Sequence, residues 1–174
     1  MKRVFRGGIA IVLVLLLCAC GSVSAQTEPT QPEDLTQAPD PWAAITEDSV
    51  DEAVFLAALD TSLLETVAAE LQTAVDEEAA AEQANPKLVL TEGWTRIFQS
   101  TQYRNVLALG KEAMPALYWI IYRSDNNGLY EYVCANALYE LSGYDFTIAD
   151  SVRQWDNAKA LLPLFNEKVL EERK

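Results

Sequence analysis

The chain contains no histidine. That absence removes Ser-His-Asp triads, Cys-His dyads and imidazole metal sites at once. Cations are scarce as well. Thirteen Lys and Arg face twenty-six Asp and Glu, for a formal net charge of −13. From Ala10 to Pro86 there is no Lys or Arg at all, against fifteen acidic residues. Nucleic-acid binding depends on phosphate neutralisation by Lys and Arg, so this balance argues against it. There is no Gly-rich phosphate loop and no CxxC pair, and Asp125-Asn126-Asn127-Gly128 lacks the spacing and the closing Glu of a calcium hand. No metal or cofactor is expected. What remains is 174 residues, 50% of them hydrophobic, which suits one packed domain with a tail.

Long hydrophobic runs are also missing. The apolar run from Ile9 to Cys18 falls short of the ~20 residues of a transmembrane helix. Preceded by Lys2, Arg3 and Arg6, it reads as the apolar core of a signal peptide. Leu17-Cys18-Ala19-Cys20 then resembles the bacterial lipoprotein lipobox, which implies cleavage before Cys20 and lipid attachment to its sulfur. Cys18 does not fit that role, because Leu17 is too large for the position before the cut. The competing site is Val23-Ser24-Ala25, where cleavage after Ala25 would release a soluble product. Cys20 would need more than one acyl chain for a stable anchor. Once Cys18 has left and Cys20 is lipidated, Cys134 is the one thiol remaining, and no intrachain disulfide can form. In its apolar run, Cys134 reads as a small buried hydrophobe.

Four segments follow from composition. Residues 1–20 are the signal peptide with Cys20 at its cleavage site. Residues 21–45, with Pro29, Pro32, Pro39 and Pro41, read as a disordered tether of ~25–30 Å reach, with Trp42 as a candidate first docking contact. Residues 46–86 form an acidic helical arm, either one kinked helix or two. Ser49 with Glu52 and Ser62 with Glu65 match capping boxes there, and Asn85-Pro86 ends the arm. Residues 87–174 form an aromatic-rich helical domain holding thirteen of the sixteen aromatic residues. Its first residues, 87–93, alternate weakly and suggest an extended connector. Helices are expected over Trp94–Leu109 (with a break near Ser100), from Lys111 to about Ser124, over Leu129–Leu141, and from Asp150 or Ser151 through Val169. Gly110 suits a helix C′ position, Pro115 a first helical turn, and Pro163 either a kink or a new helix start.

Leu109-Gly110-Lys111-Glu112-Ala113-Met114-Pro115-Ala116-Leu117 resembles a HEAT-like repeat, in which one helix ends at Leu-Gly and a proline opens the next. Ala135 to Gly143 resembles the first helix of a following unit, and Ala160-Leu161-Leu162-Pro163-Leu164-Phe165 echoes the proline-opened helix. The resemblance covers residues 102–170, about two irregular units, whereas solenoids usually need about three. It implies an all-α, irregular HEAT-like array of about five to seven helices. The pattern is also similar to small lipoproteins of Gram-positive bacteria, in which a segment like Gly128-Leu129-Tyr130-Glu131-Tyr132 follows such a turn. That likeness implies location and fold and carries no activity.

Without histidine, acid–base chemistry would fall to Glu92, Glu112, Glu131, Glu140 or Asp145. Glu131 and Glu140 lie nine residues apart on one expected helix, ~13 Å along its axis, farther than paired glycosidase carboxylates stand. Tyr118, Tyr122, Tyr130 and Tyr132 are candidates for a partner-binding surface, and core packing is their competing role. The expectation is therefore a non-enzymatic, lipid-anchored interaction module on the extracytoplasmic face of a bacterial membrane. It would bind an unidentified protein or envelope polymer and no nucleic acid. A carboxylate hydrolase acting on envelope glycans is the alternative, and a structural spacer is a third. The acidic excess lies in the tether and arm: after Pro86, ten cations meet eleven acids. A solvated linker, or a docking segment for a cationic partner, would both fit such an arm.

Overall fold

The computed structural model describes residues 39–47, 49–148 and 152–174. The expected signal segment, Cys20 and most of the expected tether lie outside the described residues. The described residues build an all-α domain with seven α-helices: α1 (Glu52–Ala58), α2 (Thr61–Ala84), α3 (Lys87–Thr91), α4 (Thr101–Ala108), α5 (Met114–Arg123), α6 (Leu129–Ser142) and α7 (Ala158–Glu172). Short 3-10 turns precede α1, α4 and α5, at Pro41–Ala44, Gly93–Gln99 and Gly110–Ala113. None of the described helices is long and apolar enough to cross a membrane.

The acidic arm is two helices, divided at Asp60. The caps differ from those expected. Asp51, not Ser49, caps α1, its Oδ1 accepting from the amides of Ala53 and Val54 at 3.1 Å. Asp60, not Ser62, caps α2, accepting from Leu63 N at 3.0 Å. Asp ranks at least with Ser at this position, and its charge also suits the positive helix end. Nor is the arm a projecting spacer. α2 buries Val67, Leu71 and Ala74 on one face and lies against α4, α5 and α6.

The packed body begins earlier than the expected tether boundary. Ala44 and Ile45 are buried at 1% exposure, and the half-buried Trp42 sits among Phe55, Tyr118 and Phe165 at ring-centroid distances of 6.0, 5.8 and 5.2 Å. Residues 87–93 are also a correction. Instead of an extended connector, Lys87–Thr91 form a single helical turn, α3. Proline blocks helix continuation from Asn85 but is well suited to open a new turn.

Downstream, the expected breaks hold. Ser100 ends the 3-10 turn and caps α4 through Tyr103 N at 3.1 Å. Gly110 and Gly143 take φ of +68° and +69°, the left-handed conformation that suits glycine at a helix end. The last helix starts later than expected. Asp150 and Ser151 lie outside the described residues, and Asn157 provides the cap, accepting from Ala160 N at 3.0 Å. The intervening chain forms a two-stranded hairpin, β1 (Thr147–Ile148) with β2 (Val152–Arg153), antiparallel with Ile148 opposite Val152. α7 runs through Pro163 without a new start.

The core gathers Phe55, Leu71, Tyr103, Leu117, Tyr118, Ile121, Leu138, Leu161 and Phe165, all at 1% exposure or less. Each large apolar side chain so buried contributes ~1.5–3 kcal/mol before the entropy of ordering is counted.

Candidate functional site

An open apolar recess lies where three chain turns meet. α2 ends at Ala84, Pro86 opens α3, and Gly93 at φ +61° swings the chain into the 3-10 turn that carries Trp94. From the other side come Asn127 and Gly128, the first turn of α6 with Leu129 and Tyr132, and Asp156 with Asn157 just ahead of α7. These residues, with Val89 and Glu82, line a groove of about 600 Å³.

Its apolar wall is unusually bare for a small domain. Val89 and Trp94 are 49% and 38% exposed, and the adjacent Leu90 is 86% exposed. Trp94 makes T-shaped contacts with Tyr132 at 5.2 Å and 85°, and with Phe98 at 5.8 Å and 75°. Tyr132 in turn meets the buried Trp155 at 5.5 Å. The exposed indole is thus braced by an aromatic relay into the core, with little freedom left to lose on contact with a ligand.

The charged side chains that line the groove are both carboxylates. Glu82 comes from the last turn of α2, where there is no basic residue and where the helix dipole is itself negative. Asp156 adds a second carboxylate, bonded to the Asn157 amide at 2.7 Å. The positive end of α6 opposite is already answered. The Glu131 carboxylate accepts from Gly128 N at 2.8 Å and Ser124 Oγ at 2.6 Å. Burial alone would raise the Glu131 carboxyl, but these hydrogen bonds and nearby Lys159 hold it below its ordinary value. Arg96, the cation nearest Trp94 in sequence, is taken up by Glu78 at 2.6 Å and by Glu92 at 3.8 Å.

The tyrosines named from the sequence divide. Tyr118 is not a surface residue. It is fully buried, donates to Asn166 Oδ1 at 2.8 Å, and burial pushes its hydroxyl up to about 12. Its helical face was legible, but not that Trp42 and Phe55 would cover it. Tyr122 and Tyr130 are half-buried. The Tyr122 hydroxyl, raised by burial and then by Glu52, donates to Glu52 at 3.3 Å. Burial also raises the Tyr130 hydroxyl. Of the four, Tyr132 alone lines the groove. Trp94, Leu129 and the two rim carboxylates were missed as site residues. The signal for Trp94 was available: an aromatic directly after a glycine and eight residues beyond a proline, at the very start of an expected helix.

The five candidate carboxylates do separate local work. Glu131 caps α6, Glu140 accepts from Tyr103 Oη at 2.8 Å, and Asp145 accepts from Thr147 N at 3.0 Å. Glu92 faces Arg96, and Glu112 lines a different recess beside Leu59 and Pro115. Among the described residues, no group of three or more acidic or thiol side chains stands where it could hold a metal ion. No protein-family model, curated protein or solved structure matches the chain.

Proposed function

We propose that the chain is a lipid-anchored, extracytoplasmic helical interaction module, which engages a protein partner through the groove between α3 and α6 and performs no catalysis. The observation that carries this reading is the exposed, braced Trp94 in an apolar recess with a polar rim, the arrangement expected of an interaction hot spot. The anchor rests on the lipobox at Leu17–Cys20, and the location on the outer face of a bacterial membrane follows from it. HEAT-like character is supported by the order of α4, a glycine turn and the proline-opened α5, and by the packing of α5, α6 and α7 on one another. The position of α2 against α4, α5 and α6 gives the array a third layer. A glycan hydrolase draws no support from carboxylates that stand in different places.

Two measurements test the reading. Cys20→Ser is expected to move the protein from the membrane fraction to the soluble one, and unchanged membrane association would refute the anchor. In-cell crosslinking of the full chain should capture an envelope protein that Trp94→Ala no longer captures, with the variant still folded at the temperature of the assay. Capture that is indifferent to Trp94 would refute the groove.

A further inference from the structure

We infer that the groove binds a basic, partly apolar peptide segment of its partner, with a Lys or Arg side chain laid over Trp94 and its charge meeting Glu82 and Asp156. This deepens the interaction-module reading and rests on it. The groove's wall is Val89, Trp94, Leu129 and Tyr132, and its rim carries two carboxylates and no cation. Neither carboxylate makes a contact ion pair among the described residues, and Glu82 feels the Arg96 charge only at longer range, as the least of the three carboxylates acting on it. Glu82 moreover stands at a helix C-terminus, where a negative charge is unfavourable for the isolated domain. A ligand cation would relieve that arrangement.

The chemistry of the wall narrows the choice. Lys and Arg are the side chains that combine a long aliphatic stem with a terminal charge. Their stems suit Val89 and Leu129, and their cations suit the indole face of Trp94. An anionic ligand would meet Glu82, Asp156 and the negative end of α2; of the two positive helix ends at the groove, that of α6 is occupied by Glu131 and that of α7 is capped by Asn157. The chain's own tether is unsuited as occupant for the same reason, because residues 21–38 carry Glu28, Glu33 and Asp34 and no cation. The acidic balance of the arm acts in the same direction at longer range, favouring encounter with basic segments.

The test uses the full mature chain on zwitterionic nanodiscs, with empty discs as background. Three labelled ten-residue peptides are titrated by fluorescence anisotropy, identical except for three positions that carry Lys, Gln or Glu. The expected order of affinity is Lys, then Gln, then Glu, with the Lys peptide losing affinity as salt is raised and the Debye length falls. Glu82→Gln with Asp156→Asn should weaken the Lys peptide by about fivefold or more, with little change for the Gln peptide. Glu65→Gln with Asp76→Asn removes the same charge from α2 positions that do not line the groove, and should change affinity less than about twofold if the effect is local. Equal losses in the two double variants would mean non-specific attraction and overturn the inference. So would an absent or reversed order among the peptides, or no binding of the Lys peptide at millimolar concentration. A Trp94-dependent partner captured in cells alongside any of those results would leave the module reading standing and remove only the basic ligand.

Discussion

The Lys159 Nζ lies 2.6 Å from the carbonyl oxygen of Ile121. It also donates to Tyr122 O at 3.2 Å and to the carbonyl of Ser124. These are carbonyls at the end of α5, where the helix leaves its last acceptors without intrahelical partners. One ammonium from α7 therefore serves three orphaned acceptors and places a positive charge at the negative end of α5. Lys159→Met keeps the stem and removes the donors. It should cost about 2 kcal/mol in urea unfolding, because buried acceptors lose charge-assisted partners. Lys159→Arg should recover only part of that, since a planar guanidinium cannot direct three N–H groups as the ammonium does. A Met variant as stable as the parent would show that water replaces the lysine without loss.

Glu131 predicts a pH dependence of known sign. Its folded-state value is lowered, so the native state favours the carboxylate more than the unfolded chain does. Its contribution is fully present above the unfolded value, about 4.3, and is lost as pH falls through the lower folded value. Glu131→Gln should therefore be less stable than the parent at pH 6–8, and the gap should close progressively below about pH 4.5. A gap that persists unchanged to pH 2 would refute the assignment.

Legibility in the sequence followed the range of the forces. Local signals carried well: Gly110 and Gly143 at helix ends, Pro115 in a first turn, the break at Ser100, and the helices around Leu117 and Val133. Caps were less legible, because Ser49 with Asp51 and Ser62 with Asp60 offer competing oxygens within two residues, and only the three-dimensional path of the chain chooses between them. The hairpin around Ile148 and Val152 was missed because two residues per strand give no period to detect. Tyr118 and Tyr132 have similar helical surroundings in sequence, yet one is core and the other lines the groove. What separates them is Trp42, some seventy residues upstream of Tyr118, and Trp94, nearly forty upstream of Tyr132. Periodicity within a helix carries no information about such distant partners.

Trp42 should therefore matter to stability despite lying in what reads as tether. Its ring contacts Phe55, Tyr118 and Phe165, and its carbonyl accepts from Arg173 at 3.3 Å. Ile45 O accepts from the same guanidinium at 2.8 Å. Trp42→Ala should cost about 2–3 kcal/mol, less than a fully buried tryptophan because the ring is half-exposed. The same substitution should speed hydrogen exchange at the Ile45 and Asp51 amides, which donate to Trp42 O and Ala44 O in the parent. Parent-like stability would return residues 39–45 to the tether.

Cys134 offers a direct reading of the opening of the core. It is fully buried on α6, and burial raises its thiol well above the ordinary value. Both access and thiolate fraction are thus suppressed in the native state, and a thiol reagent needs the thiolate. In a Cys18→Ser, Cys20→Ser background, labelling at pH 8 should be slower than for a free peptide thiol by a factor that follows the unfolding equilibrium. Lys159→Met should accelerate it about thirtyfold, the factor equivalent to its expected 2 kcal/mol, if exposure of Cys134 requires global unfolding. An acceleration much smaller than the measured loss of stability would mean that α6 opens locally, without release of α5 and α7. Rapid labelling of the parent would place Cys134 outside the packed core and contradict the helix arrangement on which the groove depends.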